Sequence, residues 1–282
     1  FVGLMILGSL EYLLWVQFVL SDISYASMIF FILFLMAIRH QPPILLLDVA
    51  RWTGIALLVW VALFYRPVAL PLVLTALAVT LSAFLLGPDL DAKRTAFSRW
   101  SALALLGIGT ACLVLWALLM QNPSLWPIDA AETWIQILSN YYKQGAIVFD
   151  RPETYHPAPV STWDFFLLTL IRWRYYFHFI SEGFSFFHMA GNIFFFVPVY
   201  GFALVAGILV ILGGKNMAPQ TWWTAWVCLL FVLFVSAFHA IQIIDYDFRY
   251  RLPIYLPLLV LSGIGLHEVM NHLGLYKAPP EK

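Results

Sequence analysis

Apolar residues run through this chain in long blocks divided by short polar punctuation. A helix that crosses a bilayer needs about 20 apolar residues. Blocks of that kind cover residues 1–20, 23–38, 68–86, 100–120, 184–212, 222–244 and 253–269, and a shorter one covers 52–65. Glu11 interrupts the first. Arg39 to Gln41, followed by Pro42 and Pro43, closes the second, and Arg66–Pro67 separates the third from the fourth. A charged connector with Asp89, Asp91, Lys93, Arg94 and Arg99 precedes the fifth. The pattern predicts an all-α fold, a polytopic integral membrane helix bundle of about eight transmembrane helices.

One stretch breaks the rhythm. Residues 121–183 hold Asp129, Glu132, Lys143, Asp150, Arg151, Glu153, His156, Asp164, Arg172 and Arg174 among many aromatics. It reads as one long extramembrane loop, with an aromatic amphipathic helix over residues 163–179 lying in the interface plane. The chain therefore divides into residues 1–120 (five spans), 121–183 (the loop) and 184–282 (three spans and a short tail). About sixty loop residues are too few for an easily self-sufficient core.

Composition agrees with a bilayer as solvent. The chain is 62% hydrophobic and 11% charged, whereas soluble domains carry about 25% charged residues. Formal net charge is zero, which argues against a nucleic-acid partner. Cys112 and Cys228 both fall inside apolar runs and suggest neither a disulfide framework nor a metal site. The chain begins at Phe1 without a basic stretch and cleavage site. Basic residues set the orientation. Arg39, Arg51, Lys93, Arg94, Arg99, Lys215, Lys277 and Lys282 fall on one set of connectors, which is then cytoplasmic with the C-terminus. Arg66, the long loop and residues 245–251 fall on the outer side.

The segment most suggestive of chemistry is HAIQIIDYDFRYRLPIYLP, residues 239–257. Arg249 and Arg251 stand at the start of the last span, with Pro253 suited to a first helical turn. A planar, permanently charged guanidinium fits phosphate oxygens, so the pair suits a phosphate clamp. Arginines at helix ends also simply extend their heads to water. Asp245 and Asp247 beside them suit either a divalent metal or pairing with the two arginines. Glu11 is either cavity-facing or interfacial. His156, His178 and His188 show no zinc spacing. His188 and Asn192, four apart in an apolar span, suit helix–helix hydrogen bonding or a bound cofactor. The tryptophans gather near span ends, as interfacial belts do. No nucleotide-binding fingerprint or Ser-His-Asp set is present.

RYRLP (Arg249 to Pro253), the small-residue GIG at Gly263 to Gly265 and His239 upstream together resemble the C-terminal signature of GT-C membrane glycosyltransferases. The nearest likeness is to the protein-O-mannosyltransferase and aminoarabinose-transferase superfamily. SDISYA (Ser21 to Ala26) and YRP (Tyr65 to Pro67) are similar to further short features of it. The resemblance implies transfer of a sugar from a polyprenyl-phosphate carrier at the outer face of a bacterial inner (plasma) membrane. A carboxylate would act as base and basic groups would neutralise the leaving phosphate. It assigns lipid-phosphate binding to Arg249 and Arg251, with Arg66 and His239 nearby, and implies no cofactor beyond the lipid-linked donor.

The family's first loop, which carries the carboxylate pair, has no counterpart here. Asp22 is acidic and on the outer side but matches a later family position. Either an N-terminal part precedes Phe1, or the chain is a relative that no longer catalyses transfer. The rival expectation is therefore a non-catalytic structural subunit of a larger membrane complex, partnered by membrane lipids and other membrane proteins.

Overall fold

A computed structural model describes residues 20–38, 45–65, 69–86, 90–125, 129–181, 183–242 and 248–275. The side chains of 20–23, 45, 64–65, 90–92, 94, 129–132, 134 and 248–249 are excepted. All regular elements among the described residues are helical. In chain order they are α1 (Leu20–Ala37), α2 (Leu45–Tyr65), α3 (Leu70–Leu86), α4 (Leu90–Gln121), α5 (Asp129–Lys143), α6 (Thr162–Tyr176), α7 (Phe186–Ile211), α8 (Pro219–Ile241) and α9 (Leu252–His272). Of these, α2, α4, α7, α8 and α9 are the five long and apolar enough to cross a membrane, while α1 and α3 give shorter apolar helices. The first apolar block, with Glu11, lies outside the described residues.

α2 and α4 begin well before their apolar runs. α2 starts at Leu45 rather than near Trp52, taking in Asp48 and Arg51. These pair across one turn at 3.0 Å. Arg51 Nη1 also donates to the Ile38 carbonyl just past α1, so the guanidinium has both an anion and a carbonyl beside it. α4 continues backward through the charged connector to Leu90. Lysine and arginine are good helix formers, and no Gly or Pro interrupts residues 90–106.

The chain forms two compact units. One takes the described residues of 1–100, 179–234 and 248–282. Within it α7 and α9 pack closely, because the backbone of α7 approaches Gly265 of α9. A Cβ at Gly265 would lie 1.9 Å from the Phe202 carbonyl oxygen. The rings of Phe195 and Tyr255 stack across the same pair of helices at 5.6 Å. Indole N–H groups from α8 tie other helices down. Trp222 donates to the Val210 carbonyl (3.1 Å), Trp223 to the Met36 carbonyl (3.0 Å) and Trp226 to the Ser82 hydroxyl (3.1 Å). All three tryptophans are buried. They lie near the start of α8, where a buried indole needs an acceptor, and these supply cross-helix bonds.

The other unit takes residues 101–178 and 235–247, so α4 and α8 each contribute one end to each unit. Residues 121–178 are more structured here than a loop. α5 and α6 enclose a core of Met120, Ile135, Tyr142, Ile147, Val148, Phe165 and Leu168, with Ala117 from α4. A flanking span thus supplies part of the apolar surface that a short segment lacks. Gly145 (φ +74°) makes the turn after α5, and its carbonyl accepts from His156 N at 2.8 Å. α6 matches the helix expected over 163–179. It opens with a capping box, in which the Ser161 hydroxyl accepts from Asp164 N while the Asp164 carboxylate accepts from Ser161 N.

Candidate functional site

The residues singled out in the sequence fall in different places. Arg66, Asp245 and Asp247 lie outside the described residues. Asp22 is in α1 and Arg249 in the short 3-10 helix Phe248–Arg251, both without described side chains. His239 and Arg251 are described, one in each unit.

Arg251 closes that 3-10 helix and stands at the N-cap position of α9, where its side chain makes no capping bond. It is only 6% exposed, an expensive position for a permanent charge unless polar groups or rings surround it. Its Nη1 donates to the Tyr200 hydroxyl at 3.3 Å. Its guanidinium carbon lies 5.3 Å from the centre of the Phe196 ring, a cation–π distance. Phe179 stacks on Phe196 at 5.4 Å and meets Tyr200 edge-on at 5.8 Å. Asn192 Nδ2 anchors the Phe179 carbonyl at 2.9 Å. The motif arginine thus sits in an aromatic cage from α7 and the segment before it. Asn192 bonds this backbone carbonyl rather than His188, whose ring stacks on Phe184 at 4.1 Å.

His239 is 3% exposed near the end of α8. Its imidazole stacks on the Tyr176 ring at 5.0 Å, with 10° between planes. The same helix end is held by a buried cation, one of the charges of the 121–183 segment. Arg172 of α6 is fully buried. Its Nε donates to the Ala240 carbonyl at 2.9 Å and its Nη2 to the Gln242 carbonyl. Its Nη1 reaches the carbonyls of Ala146 (3.3 Å) and Ile147. Tyr142 completes the clamp. Its hydroxyl donates to the Ala240 carbonyl at 3.0 Å, and its ring lies 5.2 Å from the guanidinium carbon. A cation on the last carbonyls of a helix also meets the negative end of the helix dipole. The signal was present in the sequence. Phe165, Leu168, Thr169, Arg172 and Tyr176 form one buried helical stripe, so Arg172 is the charge on the apolar face of α6.

Among the described residues no three His, Cys, Asp or Glu side chains converge as metal ligands. A groove along α4, lined by Leu103, Gly107, Ala111, Leu115 and Leu118, contains Thr110 as its polar residue and offers no acid, base or nucleophile. Among the residues of the RYRLP motif, Arg251 is the one whose described side chain, set against Tyr200 and Phe196, has chemistry suited to an anion. No protein-family model, curated protein or solved structure matches this chain.

Proposed function

We propose that this chain is a GT-C-type membrane glycosyltransferase-like protein that holds the phosphate of a polyprenyl-phosphate sugar carrier at Arg251. The observation that carries the reading is the 6% exposed arginine of the RYRLP motif, bonded to the Tyr200 hydroxyl and laid on Phe196. A guanidinium so placed can meet phosphate oxygens with paired donors. It would stabilise the charge that builds on the phosphate as the bond between sugar carbon and phosphate oxygen breaks and the acceptor bonds that carbon. By the family resemblance Arg249 and Arg66 would assist in binding the lipid phosphate, and Asp22, Asp245 and Asp247 are the acidic candidates.

The topology proposed with it has about eight spans, the cytoplasmic C-terminus that basic residues favour, and a bacterial inner membrane as its setting. The test is saturable binding of a short-chain polyprenyl monophosphate to the purified full chain in lipid nanodiscs. Arg251→Ala should abolish it in protein that still purifies as the folded chain, and unchanged binding removes the reading. A non-catalytic subunit is the second reading, favoured by the apolar length of α4, where Leu103, Leu106, Ile108 and Leu115 are all more than half exposed. That reading requires copurification with partners in fixed proportion and no transfer of sugar from the lipid carrier.

A further inference from the structure

Tyr200 carries no expectation from the sequence, yet it is the hydroxyl that meets the motif arginine. It lies one turn after Phe196 on α7, so the two side chains share a helix face. Phe196 lies beneath the guanidinium, and Tyr200 accepts from Nη1 at 3.3 Å. The Tyr200 ring is itself fixed, with Phe179 at 5.8 Å and Phe196 at 5.3 Å. Arginine has a long side chain with about 2 kcal/mol of rotamer entropy. A ring against its face restrains the tilt of the guanidinium. A hydrogen bond at one end restrains its rotation within that plane. Phenylalanine at 200 would supply the same ring packing and lose the second restraint.

We propose that Tyr200 is a positioning residue for an anion bound at Arg251, setting the direction in which the guanidinium presents its donors to a phosphate group. This rests on the reading of Arg251 as the phosphate-binding group. Tyr200 acts through the arginine, so its removal weakens binding while Arg251 removal abolishes it. A hydrogen bond to a charged group of this length sits at the weak end of its range, and roughly a tenfold loss of affinity is expected.

The experiment measures binding of a short-chain polyprenyl monophosphate, and separately of inorganic phosphate, to the full chain in nanodiscs. The proteins are wild type, Tyr200→Phe, Tyr200→Gln and Arg251→Ala, each with its melting temperature. The expected result is roughly tenfold weaker binding in Tyr200→Phe at an unchanged melting temperature. Tyr200→Gln, which restores an acceptor, should recover part of the loss. A matching loss with inorganic phosphate identifies the bare anion as the ligand, and a loss confined to the lipid identifies the lipid headgroup; both support positioning. Wild-type affinity in Tyr200→Phe, with binding abolished in Arg251→Ala, overturns the inference and leaves the proposed function standing. Wild-type affinity in Arg251→Ala overturns both. A loss in Tyr200→Phe that follows a fall in melting temperature and is not recovered by Tyr200→Gln makes Tyr200 a packing residue and overturns the inference.

Discussion

Replacing Arg172 by methionine removes a buried cation and keeps most of its volume. Exchanging a buried ion pair for apolar side chains is often harmless, because both charges leave together. Here the partners are backbone carbonyls of Ala146, Ile147, Ala240 and Gln242, which no side-chain substitution deletes. Tyr142 still serves the Ala240 carbonyl. Three carbonyls are left, each costing about 1 kcal/mol or more when buried without a donor. Loss of the cation at the end of α8 adds about 0.5–1 kcal/mol. The expected destabilisation is about 3–5 kcal/mol, a large part of the roughly 5–15 kcal/mol that holds a typical fold. Lysine should recover less than half, since one ammonium cannot span carbonyls from separate segments as a planar fork does. Tyr142→Phe and Arg172→Met share the Ala240 acceptor, so the double variant should lose about 1 kcal/mol more than the sum of the two. Equilibrium unfolding in mild detergent, followed by tryptophan fluorescence, measures the four variants against wild type. Wild-type stability in Arg172→Met, or strict additivity in the double variant, would refute the clamp.

Two further perturbations test the packing and the cap. Gly265→Ala places a methyl 1.9 Å from a backbone carbonyl oxygen of α7, and neither backbone can yield as a flexible side chain would; a loss of about 2 kcal/mol or more is expected in the same unfolding assay. Asp164 accepts from the Ser161 hydroxyl at 2.7 Å and from the backbone N–H groups of Ser161 and Val160, and the hydroxyl bond above all holds its carboxyl below the ordinary aspartate range. Because the folded value is the depressed one, the cap contributes fully above the unfolded value of about 3.9 and is lost as pH falls through the folded value. Carboxyl-resonance titration should find Asp164 ionising below an unperturbed aspartate, and Asp164→Asn should remove that part of the acid destabilisation.

The five helices long and apolar enough to cross a membrane were legible, because a bilayer demands long apolar runs. Their ends were less so. Asp48, Arg51 and the charges before Trp100 look like punctuation in a hydropathy reading, yet α2 and α4 accommodate them, one by pairing and the other by helix propensity. Gly265 was noticed as part of a motif. Its packing reason appears only when the Phe202 carbonyl of another helix is placed against it. The same holds for the site. Arg251 stood out through RYRLP, but Tyr200 lies 51 positions away and no local pattern joins the two. Arg172 was legible in principle as a charge on an apolar stripe. Its acceptors, about 25 and 70 residues distant, were not, because main-chain carbonyls leave no trace in composition.

The central claim is that a polyprenyl phosphate binds at Arg251 rather than at the lipid-facing surface in general. Photo-crosslinking with a polyprenyl monophosphate that carries its reactive group beside the phosphate, followed by peptide mapping of the full chain, tests it most directly. The account predicts label on the α7 segment holding Phe196 and Tyr200 and at the start of α9, competed by unlabelled lipid phosphate and lost in Arg251→Ala. Label spread over the exposed apolar faces at Phe187, Phe194 and Leu106, indifferent to competitor and to Arg251, would contradict it.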